Sequence, residues 1–284
     1  MNMTHACIVT DSSVQFPQPN FIGKDLVHVI DLSINFRGQI YTTKSLTNLR
    51  SLPKFADNGL NSALHPPMIS EFSNLFSKLC NYYDDVIGIF LSSELNECYQ
   101  NALEASKSIR GGKNIKIFDS KTISLGLGVL VQYTAELITK GISIEDINQS
   151  LRCLIPHTYA VFCITGVSYL HRNGFIDYAQ ATISEMLGLY PIFTLEDGKL
   201  NPLEKVRNYR QMIDYFQEFI DEFEDLSHIS LLKSSPPLSS QSRILRDFVQ
   251  NNYPKATFTE HVLNFPLAIL FGPRTHGLIV VEKI

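Results

Sequence analysis

The stretch Val86-Ile87-Gly88-Ile89-Phe90-Leu91-Ser92-Ser93-Glu94 decides the fold class. An unbroken apolar run that stops at two hydroxyls and a carboxylate describes a strand buried on both faces, as in a parallel sheet covered by helices. Toward the N-terminus, Ala6 to Val9 is another short apolar run, ending in Thr10-Asp11-Ser12-Ser13. Toward the C-terminus, Ile115 to Phe118 is a third, ending in Asp119-Ser120-Lys121-Thr122. Helical spacing lies between and beyond them: Phe72, Leu75, Phe76 and Leu79 within Glu71 to Cys80, then Tyr99 to Ile109, then Leu125 to Thr139. Leu26 to Ile34 alternates apolar residues, and Phe36-Arg37-Gly38-Gln39-Ile40-Tyr41 reads as a turn into a further strand. Strand and helix in alternation imply right-handed crossovers and an α/β domain with a mostly parallel sheet.

The second half reads as α+β. Pro156-His157-Thr158 follows a helical segment and opens a strand, Tyr159 to Thr165. A helix over Ala179 to Leu187 precedes a strand at Pro191 to Leu195, and Glu196-Asp197-Gly198-Lys199 is a hairpin turn through its Asp-Gly pair. A long helix over Asn208 to Glu224 carries Met212, Tyr215, Phe216 and Phe219 on one stripe. Strands recur at Ile229 to Leu232, Ala256 to Val262 and Leu278 to Val281, and the Ser/Pro-rich stretch Ser234 to Ser242 reads as a loop. A boundary near residues 153–158 gives two domains, 1–155 and 156–284, the second with a mixed sheet.

Composition removes several classes of function. The 284 residues are 44% hydrophobic and 18% charged, which excludes a disordered or fibrous chain. A net charge of −4 argues against nucleic-acid binding, which runs on surplus Lys and Arg. No apolar run reaches the roughly 20 residues of a membrane helix; the longest, Phe265 to Phe271, is short and opens with Phe265-Pro266. Asp11 interrupts any signal-peptide core. Five cysteines without a CxxC read as reduced thiols of a cytoplasmic protein, and eight histidines without an HExxH give no metal site.

In a parallel sheet, the three hydroxyl- and carboxylate-bearing strand ends share one edge, where ligands of open α/β sheets bind. Thr10, Asp11, Ser12, Ser92, Ser93 and Asp119 then read in two ways: donors to a carboxylate or phosphate, or caps of the helices that follow. Gly126 and Gly128 in Ser124-Leu125-Gly126-Leu127-Gly128 do not form GxGxxG, so they mark close helix packing or backbone approach to a ligand rather than a nucleotide cofactor. No GxSxG elbow is present. Serine hydrolysis then requires His65, His157 or His276 to reach a serine in space, which leaves it the least favoured chemistry.

These strand ends, in this order, resemble the DegV family along nearly the whole chain. Ile8-Val9-Thr10-Asp11-Ser12-Ser13 is similar to the family's opening strand and TDS turn. Leu91-Ser92-Ser93-Glu94-Leu95-Asn96-Glu97-Cys98-Tyr99-Gln100-Asn101-Ala102 resembles its SSxLSGTYQxA segment. Asp119-Ser120-Lys121-Thr122-Ile123-Ser124-Leu125-Gly126-Leu127-Gly128 resembles its DSxxxSxGxG, and Pro202-Leu203-Glu204-Lys205-Val206-Arg207 fits a segment after the hairpin. The resemblance implies a two-domain fatty-acid-binding protein without catalysis or cofactor, binding a long-chain acid such as palmitate or oleate. Its carboxylate would sit at the N-domain strand ends and its acyl chain in an apolar tunnel. It implies, for some members, presentation of that acid to a separate fatty acid kinase subunit. Carried over, Ser93 donates to the carboxylate, Thr10, Asp11 and Ser12 shape the pocket with Ser92 and Gly126, and Arg207, with Arg172 and His276, faces the phosphorylation or docking surface.

The chain departs from the family pattern at three polar positions. The TSQPS loop becomes Ser62-Ala63-Leu64-His65-Pro66-Pro67; an ungapped match sets Leu64 and His65 at Thr and Ser, with Ser62 or His65 as replacements. The GGR becomes Asn173-Gly174-Phe175, with Arg172 as the candidate replacement. The THTGPGALG segment keeps Gly272-Pro273 and Gly277; its His falls on Leu270, and His276 lies out of register. Burying an acyl chain at about 0.8 kcal/mol per CH₂ yields on the order of 11 kcal/mol, against about 1–3 kcal/mol per head-group hydrogen bond. The tail dominates, so an altered head site still permits lipid binding. The alternative is a regulatory protein of the same fold whose tunnel is plugged by Phe175 or Phe271.

Overall fold

The computed structural model describes residues 5–43, 45, 49–56, 62–109, 114–235 and 239–283. Four parallel strands form the sheet of the N-terminal half: β1 (Ala6–Asp11), β2 (Val27–Ile30), β6 (Asp85–Phe90) and β7 (Asn114–Asp119), in the order β2-β1-β6-β7. Every residue of β1 is buried, as is all of β6 after Asp85, which is why both read as continuous apolar runs. Helices α1 (Ile69–Leu79), α2 (Cys98–Ser108), α3 (Leu125–Thr139) and α4 (Ile144–Leu154) complete this half. The alternation over Leu26 to Ile34 serves two sheets. Its first part is β2; its second, β3 (Ser33–Phe36), pairs antiparallel with β4 (Gln39–Thr42) and β5 (Ser62–His65) in a separate three-stranded sheet.

The mixed sheet of the second half contains β8 (Thr158–Cys163), β9 (Tyr190–Glu196), β10 (Lys199–Val206), β11 (Leu226–Lys233), β12 (Thr257–Val262) and β13 (His276–Glu282), in the order β10-β9-β8-β13-β11-β12. Its pairs are antiparallel except β11 with β12. Side chains alternate across a strand, and here the two faces enter different cores. Val161, Cys163, Leu278 and Val280 pack under α7 (Tyr209–Asp221) and α8 (Ser239–Asn252). Ala160, Phe162, Ile279 and Val281 join the large core of the N-terminal half. Helix α3 touches β1 and β6 as well as β8 and β13, so it lies between the two sheets, and its residues are buried nearly all round.

Among the described residues, three α-helices are additional to those read from the sequence. Helix α5 (Val167–Arg172) packs on α6 (Tyr178–Met186), which occupies the predicted Ala179–Leu187 helix. Helix α8 begins inside the stretch read as a loop at Ser234 to Ser242; residues 236–238 of that stretch lie outside the described residues. Helix α9 (Phe265–Phe271) is wholly buried, with Pro266 in its first turn and Asn264 accepting the Leu267 amide as its cap.

Candidate functional site

Parallel pairing of β1 with β6 and of β6 with β7 sets their C-terminal ends side by side. The residues there are mostly engaged in building the edge. Asp11 is fully buried; its Oδ1 accepts the Ser13 amide at 2.9 Å and its Oδ2 the Leu91 amide at 2.8 Å. Burial pushes its pKa up, and the hydrogen bonds from Ser13 and Leu91 oppose that push. Ser12 Oγ accepts the Leu32 amide at 2.8 Å. Asp119 Oδ1 accepts the amides of Ser93 at 3.2 Å and Lys121 at 3.0 Å, while its Oδ2 pairs with Lys121 Nζ at 2.9 Å. These are turns closed by short side chains. They are not helix caps: neither α2 nor α3 has a side-chain cap.

Other hydroxyls at this end have no such task. Thr10 Oγ1, Ser62 Oγ and Thr122 Oγ1 are buried without a hydrogen-bond partner, and Ser93, half-buried, makes no side-chain hydrogen bond among the described residues. Buried hydroxyls are ordinarily paired, so these are donors that the fold leaves unspent among the described residues. Strand β5 is drawn to the same end by Asn96 Nδ2 on the Leu64 carbonyl (3.1 Å) and Asn101 Nδ2 on the Pro67 carbonyl (2.9 Å). Ser62 and Leu64 point inward there, and His65 is exposed at the strand end. Leu64 is thus an apolar wall where the resemblance expects a hydroxyl.

The second half contributes directly to this edge. The β9–β10 hairpin turns through Asp197 and Gly198, both at positive φ, as the Asp-Gly pair predicts. Ser92 Oγ donates to the Gly198 carbonyl at 2.8 Å and accepts the Glu94 amide at 3.2 Å. Ser92 is therefore a brace between the halves. A second bridge runs through Gln15: its Oε1 accepts Ser124 Oγ (2.7 Å) and the Asn264 amide (3.2 Å), its Nε2 donates to the Val262 carbonyl (2.9 Å), and Asn264 Nδ2 donates to the Ser13 carbonyl (2.7 Å). Gly198, Gln15 and Asn264 escape sequence reading, since a single turn glycine or amide carries no signal of its distant partner. Gly126 and Gly128 serve packing: a Cβ on the first would lie 2.3 Å from Thr122 Oγ1, and on the second 1.9 Å from the Gln15 carbonyl oxygen.

The remaining candidates lie elsewhere. Arg207 is exposed just beyond β10, its amide donating to Gln211 Oε1 at 2.8 Å. Arg172 lines a cleft of about 720 Å³ between α5 and α6, with Ser168, His171, Tyr178 and Glu185. Asn173, at the first position of the altered GGR, uses its Nδ2 on the carbonyls of Tyr169, Ile269 and Leu270. Phe175 meets the edge of Phe271, which in turn meets Phe162. His276 does not face a partner surface: it is 3% exposed, on the α7 side of the mixed sheet against Tyr209, because it shares the strand face of Leu278 and Val280. Burial lowers its pKa to about 4. Among the described residues no histidine hydrogen-bonds to Ser12, Ser13 or Ser93. Two further clefts, of about 710 Å³ beside Tyr133 and His228 and about 530 Å³ beside Lys121 and Tyr159, do not include Ser93, Thr10 or Ser62 in their walls.

The DegV family profile, described as an uncharacterised protein family, matches residues 5–283. A DegV domain-containing protein of Staphylococcus aureus (strain COL) is 29% identical over 221 residues, covering 78% of each chain. One from Caldanaerobacter subterraneus is 29% identical over 218 residues, covering 77% of each. Among solved structures, a DegV family protein of Thermus thermophilus described for its fatty acid binding superposes with a TM-score of 0.85 at 23% identity, over 99% of this chain and all of that one. One from Eubacterium eligens, loaded with heptadecanoic acid, gives 0.83 at 15% identity, over 98% of this chain and all of that one. DegV of Bacillus subtilis, a fatty acid binding protein, gives 0.80 at 24%, over 99% and all.

Proposed function

The chain belongs to the DegV family, and from that premise we propose that it is a non-catalytic, cytoplasmic carrier of one long-chain fatty acid of the palmitate or oleate class. The observation that carries the reading is a set of hydroxyls left unpaired among the described residues, Ser93 half-buried just beyond β6, Thr10 buried near the end of β1 and Ser62 buried on β5. A carboxylate is the ligand group that several hydroxyl donors suit, since it only accepts. Ser93 donates to it, Thr10 and Ser62 form the inner wall, and the apolar interior shared by the two sheets receives the chain. Residues 1–155 supply the head-group end and 156–284 most of the tail environment. The structures with bound fatty acids among the fold relatives support this assignment.

Arg207, exposed at the end of β10, is the residue we assign to docking of a fatty acid kinase subunit. Arg207→Ala should then leave fatty-acid affinity unchanged and impair acid phosphorylation by such a subunit. A second reading, a regulatory protein of this fold without ligand, is favoured by one observation. Phe271 is fully buried between Phe162 and Phe175, filling space with three rings.

Native mass spectrometry of the purified protein, followed by solvent extraction, tests the first reading. A stoichiometric adduct released as a fatty acid is expected. Failure to carry or take up either palmitate or oleate overturns the carrier reading in favour of the second.

A further inference from the structure

The β9–β10 turn lies over the loop that carries Ser93. Ser92 Oγ reaches across 106 positions of sequence to the Gly198 carbonyl at 2.8 Å, and this bond is buried. The approach is so close that a Cβ on Gly198 would stand 2.3 Å from Ser92 Oγ and 3.0 Å from Lys121 Cδ, and φ at Gly198 is +84°. Charges flank the contact. Lys199 Nζ lies 4.0 Å from Glu94, Lys121 pairs with Asp119, and Asp197 adds its field at Lys121. These groups are partly exposed, and such pairs hold weakly.

Behind its tip the hairpin is held through β9, whose Phe193 and Leu195 are buried and whose Thr194 pairs with Val161 of β8. Strand β10 is the edge of the mixed sheet and, among the described residues, pairs with β9 alone; its register breaks between Pro202 and Glu204, where a proline removes a donor. Residues Pro202 to Lys205 are exposed. The pairing of β9 to β8 ends at Thr194 among the described residues, so the turn Glu196 to Lys199 with its one buried bond to Ser92 is the part that can move. Its movement reaches the ligand group through Asp119, whose Oδ1 holds the amides of both Ser93 and Lys121.

We propose that the Asp197-Gly198 turn is a latch over the head-group end of the site: docked on Ser92 it holds the Ser93 loop closed over the carboxylate, and released from Ser92, bending beyond Leu195, it lets the acid enter and leave. This rests on the fatty-acid reading above, and it assigns the exchange step to the hairpin.

The test locks the turn. Glu94→Cys and Lys199→Cys are combined in a Cys153→Ser background, Cys153 being the one exposed cysteine, and bridged with a short bismaleimide. The same protein capped with a monofunctional maleimide is the control. Uptake and release of palmitate are followed by stopped flow. The bridged protein is expected to exchange about tenfold more slowly or worse, as for a gated site; equal rates in bridged and capped protein overturn the latch. Ser92→Ala supplies an independent reading. Loss of the latch raises the association rate along with the dissociation rate, whereas an unchanged or slower association rate overturns it. Wild type that binds neither palmitate nor oleate overturns the carrier reading itself, and the latch with it; binding with unaltered exchange overturns the latch alone.

Discussion

The carboxylate of Asp11 accepts the amide of Leu91 at 2.8 Å, so the last residue of β1 fastens the first residue beyond β6. The same side chain accepts the Ser13 amide. Two turns of the site thus hang from one buried carboxylate.

Asp11→Ala should therefore act on stability before it acts on binding. It leaves two buried amides without acceptors, at about 1–3 kcal/mol each, and relieves part of the cost of burying a charge. A net loss of about 2 kcal/mol is expected, read as a lower urea midpoint. Asp11→Asn should cost less, since it keeps one acceptor. An unchanged midpoint for Asp11→Ala would show that the brace contributes nothing.

Ser93→Ala should behave in the opposite way. Its hydroxyl makes no hydrogen bond among the described residues, so the melting temperature of ligand-free protein should hold. Palmitate affinity should fall about tenfold, the worth of one charge-assisted bond. Hexadecanol, lacking the carboxylate, should bind both proteins alike. If palmitate affinity holds too, Ser93 is a turn residue only.

Gly128→Ala probes packing. The added methyl would stand 1.9 Å from the Gln15 carbonyl oxygen, a backbone atom that cannot rotate away. Gln15 also carries the bridge to Ser124 and Asn264. The substitution should cost about 2 kcal/mol or more in unfolding free energy. Gly141→Ala makes a useful contrast: nothing lies within 4 Å of its Cβ, and its positive φ of 71° alone should set a smaller cost.

Acid should weaken the fold through His276. Burial lowers its pKa to about 4 in the folded protein, against about 6.5 in an unfolded chain. As pH falls through that window the unfolded chain takes up the proton first, so stability is full above about 6.5 and declines toward 4. His228, also lowered to about 4 by burial and by His261, adds a parallel decline. His276→Phe should flatten part of the pH dependence of the urea midpoint between pH 6.5 and 4. An identical slope in wild type and variant would contradict the burial assigned to His276.

The sequence was most legible where a strand is buried on both faces. Val86 to Leu91 and Ala6 to Val9 could belong to little else. The Asp197-Gly198 turn was legible for a local reason, the need for positive φ at both positions. Its docking on Ser92 was not, because nothing in a hairpin sequence names the surface it touches. The strand β5 is four residues long and runs directly into Pro66 and Pro67, too short to show a period. Helix α9 hid for a related cause: buried all round, it has no polar face to reveal 3.6-residue spacing. Of the site residues, type and place were readable, and task was not. Asp11, Ser12 and Ser92 satisfy neighbouring backbone, whereas Thr10, Ser62 and Ser93 do not.

Strands β8 and β13 send alternate side chains into two cores, one of them common to both halves of the chain. Melting either half would strip that shared core from the other, so heat and denaturant should meet a single all-or-none transition. A ligand seated anywhere in the molecule would then raise one melting temperature for all 284 residues. Neither half should survive on its own when expressed as a fragment.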